Sequence, residues 1–275
     1  MSIHLTTRNR IAETSSKGNQ EKWLEGDRWY KLDLFGYEGL AETVTSSLLR
    51  QTNVTALGFR FVPYQMEQLD VHRRVRTGCS SPNFRQEGEA ILTLADLFRK
   101  GVGPHWQDQI GRQPNLTAKV RWMAEQTTQL TGLSRFGQYM TLLFEADMLF
   151  GNEDRHLNNI AVLRRGEGFD YCPLFDFGAG MLSNIRDYPL DIEPRAHLRL
   201  LRALPLNTTF GRQVQAARAV YGPQLEWDFT VEDITAALAK PLEFYSERNR
   251  ADFARRIMAC IQIHGDKWRQ KLMQT

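Results

Sequence analysis

The feature that most constrains this chain is a pair of polar blocks bracketing an apolar hairpin. The first, GNEDRHLNNIAVL, spans 151–163, and the second, PLFDFGAG, spans 173–180. The stretch IAVLRRGEGFDYCPLFDF between and across them reads as apolar strand, Arg-Gly-Glu-Gly turn, apolar strand. Such a hairpin has no structural need of Asp154 and Asn159 before it or of Asp176 after it. A carboxylate and an amide oxygen at one end, with a second carboxylate across the hairpin, can converge on one divalent cation. All supply hard oxygen ligands, which suits Mg²⁺ and the phosphates it carries. A fold for this chain must therefore bring both ends of the hairpin into one cleft.

The flanking sequence divides in two. In WLEGDRWYKLDLF, Gly26-Asp27 is a turn signal between two short strands. In EGLAETVTSSLLRQT, Leu40, Val44 and Leu48 recur every four residues and predict an amphipathic helix. ALGFRFVPYQME and VHRRVRTGCSS read as two more strands, and the proline-marked SSPNF, 80–84, as a connector. Beyond it the pattern turns helical. ILTLADLFRKG predicts a short helix ending at Gly101, GVGPHWQDQIGRQPN a loop, and LTAKVRWMAEQTTQLTG a helix. SRFGQYMTLLFEADMLF predicts a stronger helix, with Phe136, Met140, Leu143, Phe144 and Met148 on one face. Helices dominate again from Asn184. The expectation is an α+β chain of two lobes: residues 1–82 a small β-rich lobe with one helix, and residues 83–275 a larger helical lobe interrupted by the hairpin.

A length of 275 residues suits one large domain or two lobes. The formal net charge of +3 gives no reason to expect direct nucleic-acid binding or an acidic membrane surface. Cys79, Cys172 and Cys260 are too few and too scattered for a disulfide frame or a zinc site, so reduced, intracellular thiols are expected. The stretch MSIHLTTRNR lacks the apolar core of a signal peptide. No run reaches the ~20 apolar residues of a spanning helix. The expectation is a soluble, cytoplasmic protein with no membrane contact.

The order Asp-Arg-His, with Asn159 five residues after Asp154 and an apolar-DFG block downstream, resembles the phosphatidylinositol 3-/4-kinase signature. It resembles more closely the bacterial HipA-like serine/threonine kinases. SSKGNQEKW, 15–23, is similar to that family's Ser-x-x-Gly-x-Gln-x-Lys phosphate loop. Together these motifs span residues 15 to 183, about the first two thirds of the chain. The resemblance implies a two-lobed, protein-kinase-like fold that uses ATP and Mg²⁺ to phosphorylate a serine or threonine hydroxyl. Asp154 would then orient or deprotonate the attacking hydroxyl, and Asn159 and Asp176 would hold Mg²⁺. Ser16, Lys17, Gly18, Asn19 and Gln20 would cradle phosphates through a loop that Gly18 lets approach closely. Lys31, on the following strand, would meet the α/β-phosphates. Its helix partner would be Glu42, which lies deeper in the helix, in preference to Glu38 on the same face, which can serve the helix N-terminus.

The resemblance also aligns Ser15 with a serine that such kinases phosphorylate on themselves. A phosphate there, or on Ser16, would eject the loop from its nucleotide-bound position. His156 would shuttle a proton or brace the loop. Arg155 would meet a phosphate or a buried carboxylate. Asp147 reads as a buried hydrogen-bonding group, Phe177 as packing under the metal site, and the 80–84 connector as lining the adenine pocket through its backbone. The family points to a protein substrate in the translation machinery. The phosphate loop starts near residue 15, where longer HipA proteins have an extra N-terminal subdomain. An antitoxin or small accessory protein is therefore expected as partner, in a toxin–antitoxin setting. GAGMLSNIRDYPLD after Asp176 lacks the Ala-Pro-Glu of eukaryotic protein kinases. The alternative is a phosphatidylinositol or small-molecule kinase, although the mixed charge of Arg186, Asp187, Asp191 and Glu193 does not suit a phosphoinositide surface. A pseudokinase would have lost one of Lys31, Asp154, Asn159 or Asp176, and all four are present.

Overall fold

The computed structural model describes residues 3–5, 10–11 and 22–272. Ser15, Ser16, Lys17, Gly18, Asn19 and Gln20 lie outside the described residues. The strands β1 (Ile3–Leu5), β2 (Arg10–Ile11), β3 (Lys22–Glu25), β4 (Arg28–Leu32), β5 (Gln65–Val71) and β6 (Arg74–Pro82) build one sheet, with helix α1 (Glu38–Leu49) inserted between β4 and β5. Their order is β1-β5-β6-β4-β3-β2, and only the β1–β5 pair is parallel. Glu25 pairs with Arg28, so Gly26-Asp27 is a two-residue turn, with Gly26 at the φ of +58° such a turn favours.

Two expected strands shift. The one expected over ALGFRFVPYQME begins only at Gln65. Pro63 has no N–H to give to a ladder. The residues before it turn elsewhere: Val62 N–H donates to the Leu174 carbonyl at 2.9 Å, and Leu174 N–H to that of Arg60 at 2.8 Å. The strand expected over VHRRVRTGCSS starts at Arg74, because His72 and Arg73, at φ of +54° and +63°, form the hairpin turn. It runs on to Pro82, so that Ser80 to Pro82 of the expected connector are strand paired with β4.

The rest is mainly helical: α2 (Leu94–Gly101), α3 (Trp106–Gly111), α4 (Leu116–Thr131), α5 (Phe136–Phe150), α6 (Pro194–Leu198), α7 (Phe210–Tyr221), α8 (Val231–Leu242) and α9 (Glu247–Leu272). A second, antiparallel sheet joins β7 (Glu89–Thr93) to the expected hairpin, β8 (Ala161–Arg165) and β9 (Gly168–Tyr171). The helix expected over ILTLADLFRKG thus begins as strand for its first three residues. Ile91 and Leu92 pair with Leu163 and Val162, and Thr93 caps α2 by accepting the Asp96 N–H at 3.1 Å. The expected loop GVGPHWQDQIGRQPN contains α3, held by Trp106 packing on Phe98 at 5.7 Å. A helix this short depends on such a tertiary anchor rather than on propensity.

α5 is the axis of the helical part. The sequence predicts one apolar face; the structure buries every residue of it except Gln138. Its buried carboxylates are satisfied. Glu145 accepts from Arg218 and from the backbone N–H of Gln224 and Leu225. One core runs from Tyr37, ahead of α1, and Leu40 and Val44 of α1 through α5 to Ile257 and Ile261 of α9. A separate small core covers the other face of the sheet, with Trp23, Tyr30, Leu32, Leu69 and Val71.

α1 therefore belongs to the core of the helical part although it is inserted in the sheet. It approaches the sheet closely because two glycines meet. A Cβ on Gly39 would stand 2.9 Å from the Gly78 carbonyl carbon, and one on Gly78 2.1 Å from the Lys31 carbonyl oxygen. Gly→Ala in a helix otherwise stabilises by up to about 1 kcal/mol. At Gly39 the overlap should reverse that sign and destabilise by about 1–3 kcal/mol. Urea denaturation midpoints check this: Gly39→Ala should fall below the parent, whereas Gly111→Ala, with open space around its Cβ, should not.

Candidate functional site

The site is assembled on four segments. β4 brings Lys31, α1 brings Glu42, the loop after α5 brings Asp154 to Asn159, and the chain after β9 brings Asp176. The Lys31 ammonium donates to Glu42 Oε1 at 2.7 Å and to Asp176 Oδ1 at 2.7 Å. Glu42 also accepts the Phe177 N–H through Oε2 at 2.8 Å, so one carboxylate fixes both the lysine and the backbone of the DFG segment. Glu38 does the other job expected of this helix face. It accepts the N–H groups of Phe35 and Gly36, at 2.8 and 3.2 Å, ahead of α1.

Asp176 has a φ of +62°, a left-handed conformation that aspartate tolerates better than most residues. Its carbonyl accepts from Asn152 Nδ2 at 3.3 Å. Burial would push its carboxyl up, but Lys31, then Lys22 and Arg155, outweigh it and hold the group well below the usual carboxylate range. Burial likewise opposes the charge on Lys31, and Asp176 and Glu42 override it, so the ammonium stays charged. Tyr64 presents its ring 5.2 Å from the same ammonium.

The loop after α5 is irregular and is held from inside. Gly151, at φ +65°, ends the helix. Arg155 is fully buried and donates to both oxygens of Asp147 on α5, at 2.9 to 3.2 Å. Its Nη1 reaches the carbonyls of Asn159 at 3.0 Å and Phe175 at 2.7 Å, and its guanidinium lies 4.7 Å from the Phe177 ring. Of the two partners open to Arg155 in the sequence, the structure selects the buried carboxylate. Asp147 accepts in addition from Asn152 Nδ2 at 2.7 Å.

Asp154 is half-buried at the loop tip. Asn159 donates its amide N–H to the Asp154 carbonyl at 2.9 Å, which directs its oxygen away from the loop backbone. His156 Nδ1 accepts the Asn158 N–H at 3.2 Å, and Nε2 stands 3.8 Å from Asp154 Oδ2 with no hydrogen-bond partner. Burial lowers its pKa, with Asp154 opposing, so the neutral imidazole carries its proton on Nε2, toward Asp154.

Among the described residues, no group of three or more His, Cys, Asp and Glu side chains forms a ready metal cage. Asp176 and the Asn159 amide can supply two oxygens, so a cation here would complete its shell with water and phosphate oxygens. That coordination is characteristic of Mg²⁺ rather than of a protein-enclosed metal. Phe177 is buried beneath this point.

Sequence reasoning left out three residues of the site. Lys22 pairs directly across from Lys31, on the same face, and its charge acts on Asp176 and His156. Its signal was available, since it is the last residue of the quoted phosphate-loop pattern. Asn152 ties Asp147 to Asp176, and nothing local announces it. Tyr64 lies in the stretch expected to be strand.

No protein-family model and no curated protein matches the chain. Two solved structures are similar. The Helicobacter pylori proinflammatory kinase CtkA shares 14% identity over 97% of this chain and 95% of its own, with a TM-score of 0.61. HipA of Shewanella oneidensis, solved with HipB and operator DNA as a toxin–antitoxin system, shares 14% identity over 94% of this chain and 62% of its own, at a TM-score of 0.45. The first match, over nearly the full length of both chains, establishes a two-lobed kinase-like fold: a small sheet with one helix, and a larger helical part.

The Asp147–Arg155 pair lends itself to a direct test. Arg155→Met should destabilise the protein by about 3–5 kcal/mol, because it leaves Asp147 as a buried charge short of its partner. Adding Asp147→Leu should recover only part of this in chemical denaturation, since the carbonyls of Asn159 and Phe175 still lack a donor.

Proposed function

We propose that this chain transfers the γ-phosphoryl group of ATP to a serine or threonine hydroxyl of a protein. The observation that carries the proposal is the Lys31 ammonium held at 2.7 Å from both Glu42 and Asp176, with the loop of Asp154 and Asn159 tied through Arg155 to the Phe175 carbonyl, next to Asp176. Lysine, helix glutamate and DFG aspartate must all be in place for phosphoryl transfer on a kinase scaffold. In this reading residues 1–82 act as the nucleotide-covering lobe and 83–275 as the lobe that carries the catalytic loop.

Lys31, with Lys22 beside it, would bind the α/β-phosphates, and the 15–20 loop would close over them. Asn159 and Asp176 would hold Mg²⁺, which neutralises charge developing on the transferred group. Asp154 would align the acceptor hydroxyl and take its proton as the new P–O bond forms and the bond to the ADP oxygen breaks. His156, neutral and with Nε2–H toward Asp154, would keep that carboxylate oriented. Of the expected 80–84 connector, the part beyond β6 would meet adenine, with Phe84 and Phe175, 6.0 Å apart, as apolar neighbours of the base.

The sequence resemblance to HipA-like kinases supports three finer parts of the proposal. Ser15 or Ser16 would accept a phosphate from the enzyme itself. The outside substrate would be a component of translation. A small antitoxin or accessory protein would be the partner. A cytoplasmic location fits this reading. No helix among the described residues is long and apolar enough to cross a membrane.

Incubation with labelled ATP and Mg²⁺, in lysate and in lipid extract, tests the proposal. Label should enter protein, and peptide mass analysis should find it on Ser15 or Ser16. Asp154→Ala and Asp176→Ala should each lower transfer by at least about 10²-fold. Label confined to lipid would instead favour a phosphoinositide-type kinase, and nucleotide binding without transfer would overturn the enzymatic reading.

A further inference from the structure

The corner between α8 and α9 reaches across to the sheet. Tyr245 Oη donates to Asp33 Oδ2 at 2.6 Å, and Asp33 Oδ1 accepts the Gly39 N–H at 2.6 Å. Asp33 directly follows β4 and lies two residues beyond Lys31. Its own N–H donates to the Thr77 carbonyl at 3.0 Å. The next carbonyl on the corner, that of Phe244, accepts from Gln68 Nε2 on β5 and from Thr77 Oγ1 on β6, both at 3.2 Å.

The corner is itself rigid. Arg250 donates to the carbonyls of Tyr245 at 2.9 Å and Glu243 at 3.1 Å. Phe253 of α9 packs against the Tyr245 ring at 5.2 Å and the Tyr37 ring at 4.5 Å. Tyr37, ahead of α1, donates its hydroxyl to the Met181 carbonyl, past Asp176, at 2.7 Å.

We infer that Tyr245 is a positioning residue: through Asp33 it holds the end of β4, and so Lys31, against the helical body that carries Glu42 and Asp176. Neither side chain touches the proposed reacting atoms. The geometry makes the pair a latch because Asp33 bonds to both sides at once. One carboxyl oxygen faces the α1 backbone, and the other faces the α8–α9 corner. Losing the Tyr245 hydroxyl leaves Asp33 half-buried with one partner fewer, while the ring can keep its packing on Phe253.

The latch has a distinctive pH signature. Burial, followed by the charge of Glu38 on α1, raises Asp33 to about 7, against the hydrogen bonds from Tyr245 and Gly39 and the charge of Arg76 on β6. When the latch opens and Asp33 meets water, its pKa returns toward about 3.9. The closed form thus binds the proton more tightly, so closing is favoured at low pH. It weakens as pH rises from about 4 to about 7, by up to about tenfold per pH unit, and levels off above that.

This inference rests on the phosphotransfer reading only for its effect on turnover, so its test uses two readouts. Amide exchange over residues 32–40, corrected for intrinsic rate, reads the latch without any reaction. Tyr245→Phe should exchange roughly tenfold faster there, with thermal stability little changed, and kcat/KM for ATP should fall roughly tenfold. Asp33→Asn keeps an oxygen for the Gly39 N–H and can donate its Nδ2–H to the Tyr245 oxygen, so both contacts survive without a titrating group. It should retain turnover and lose the rise in exchange that the parent shows between pH 5.5 and 7. Unchanged exchange at 32–40 in Tyr245→Phe, or an Asp33→Asn profile that follows the parent, overturns the latch. Faster exchange in Tyr245→Phe, in a protein whose parent transfers no phosphate, upholds the latch and defeats the phosphotransfer reading instead.

Discussion

The Lys31 ammonium is the point at which three otherwise separate pieces of chain are joined. It arrives on β4, Glu42 on a helix whose apolar face belongs to the helical core, and Asp176 on the connection after β9. Burying these charges is unfavourable unless each finds its partners, and here each does. Glu42 divides its oxygens between the ammonium and the Phe177 N–H. One ammonium facing two carboxylates leaves a surplus of negative charge, which Lys22 offsets from the neighbouring strand. On the proposed reading that balance would let the site exchange an internal ion pair for an incoming cation with its phosphates. In the proposed function Asp176 would turn its oxygens from Lys31 to metal while Glu42 would keep the lysine in place.

Regular structure stops where this chemistry is proposed. Residues 152–160 form neither helix nor strand, and Asp176, Met181 and Leu182 all adopt positive φ. Strained, irregular backbone persists only where its surroundings over-determine it. Arg155 does much of that here, because one guanidinium satisfies α5, the loop and the chain just before Asp176 at once. The buried axis of α5 gives the arginine a fixed base in Asp147. The polar centre of the molecule is therefore continuous with its apolar centre, and Phe177, under the guanidinium, belongs to both.

Some of this was legible in the sequence. The spacing of Asp154, Asn159 and Asp176 around a hairpin, the Gly26-Asp27 turn, and helices such as 38–49 and 116–131 are local patterns. Local patterns survive folding when tertiary contacts agree with them. The misses have a common cause. α3 exists because Trp106 reaches Phe98; residues 56–64 leave the sheet to bond with Leu174; β7 forms because β8 offers an edge. Each outcome is decided by a partner distant in sequence, which propensity cannot see. Asp147 with Arg155, and Asp33 with Tyr245, are of the same kind. The first pair is eight residues apart and its members could be suspected singly, whereas the second spans 212 residues and left no trace in any local window. The phosphate loop, 15–20, lies outside the described residues and stands on its sequence pattern alone.

The placement of α1 suggests which part of the scaffold carries the adjustment a reaction cycle would require. All of α1 except Ser47 is buried, and its apolar residues are shared with α5 and α9. Moving it would open that core, and close-packed interiors resist such shifts strongly. The sheet packs on α1 through Met66 and the Gly39–Gly78 approach, and polar contacts add to this: the Asp33 carboxyl and the two side-chain bonds to the Phe244 carbonyl. Polar contacts of this type can break and re-form at little net cost, since water replaces either partner. The distance of Lys31 from Glu42 and Asp176 therefore depends on these polar contacts as well as on the packing of α1 against the sheet. On the proposed reading, the seating of the sheet on α1 would set the geometry of the site, and the α8–α9 corner would bear on the position of the lysine through Asp33.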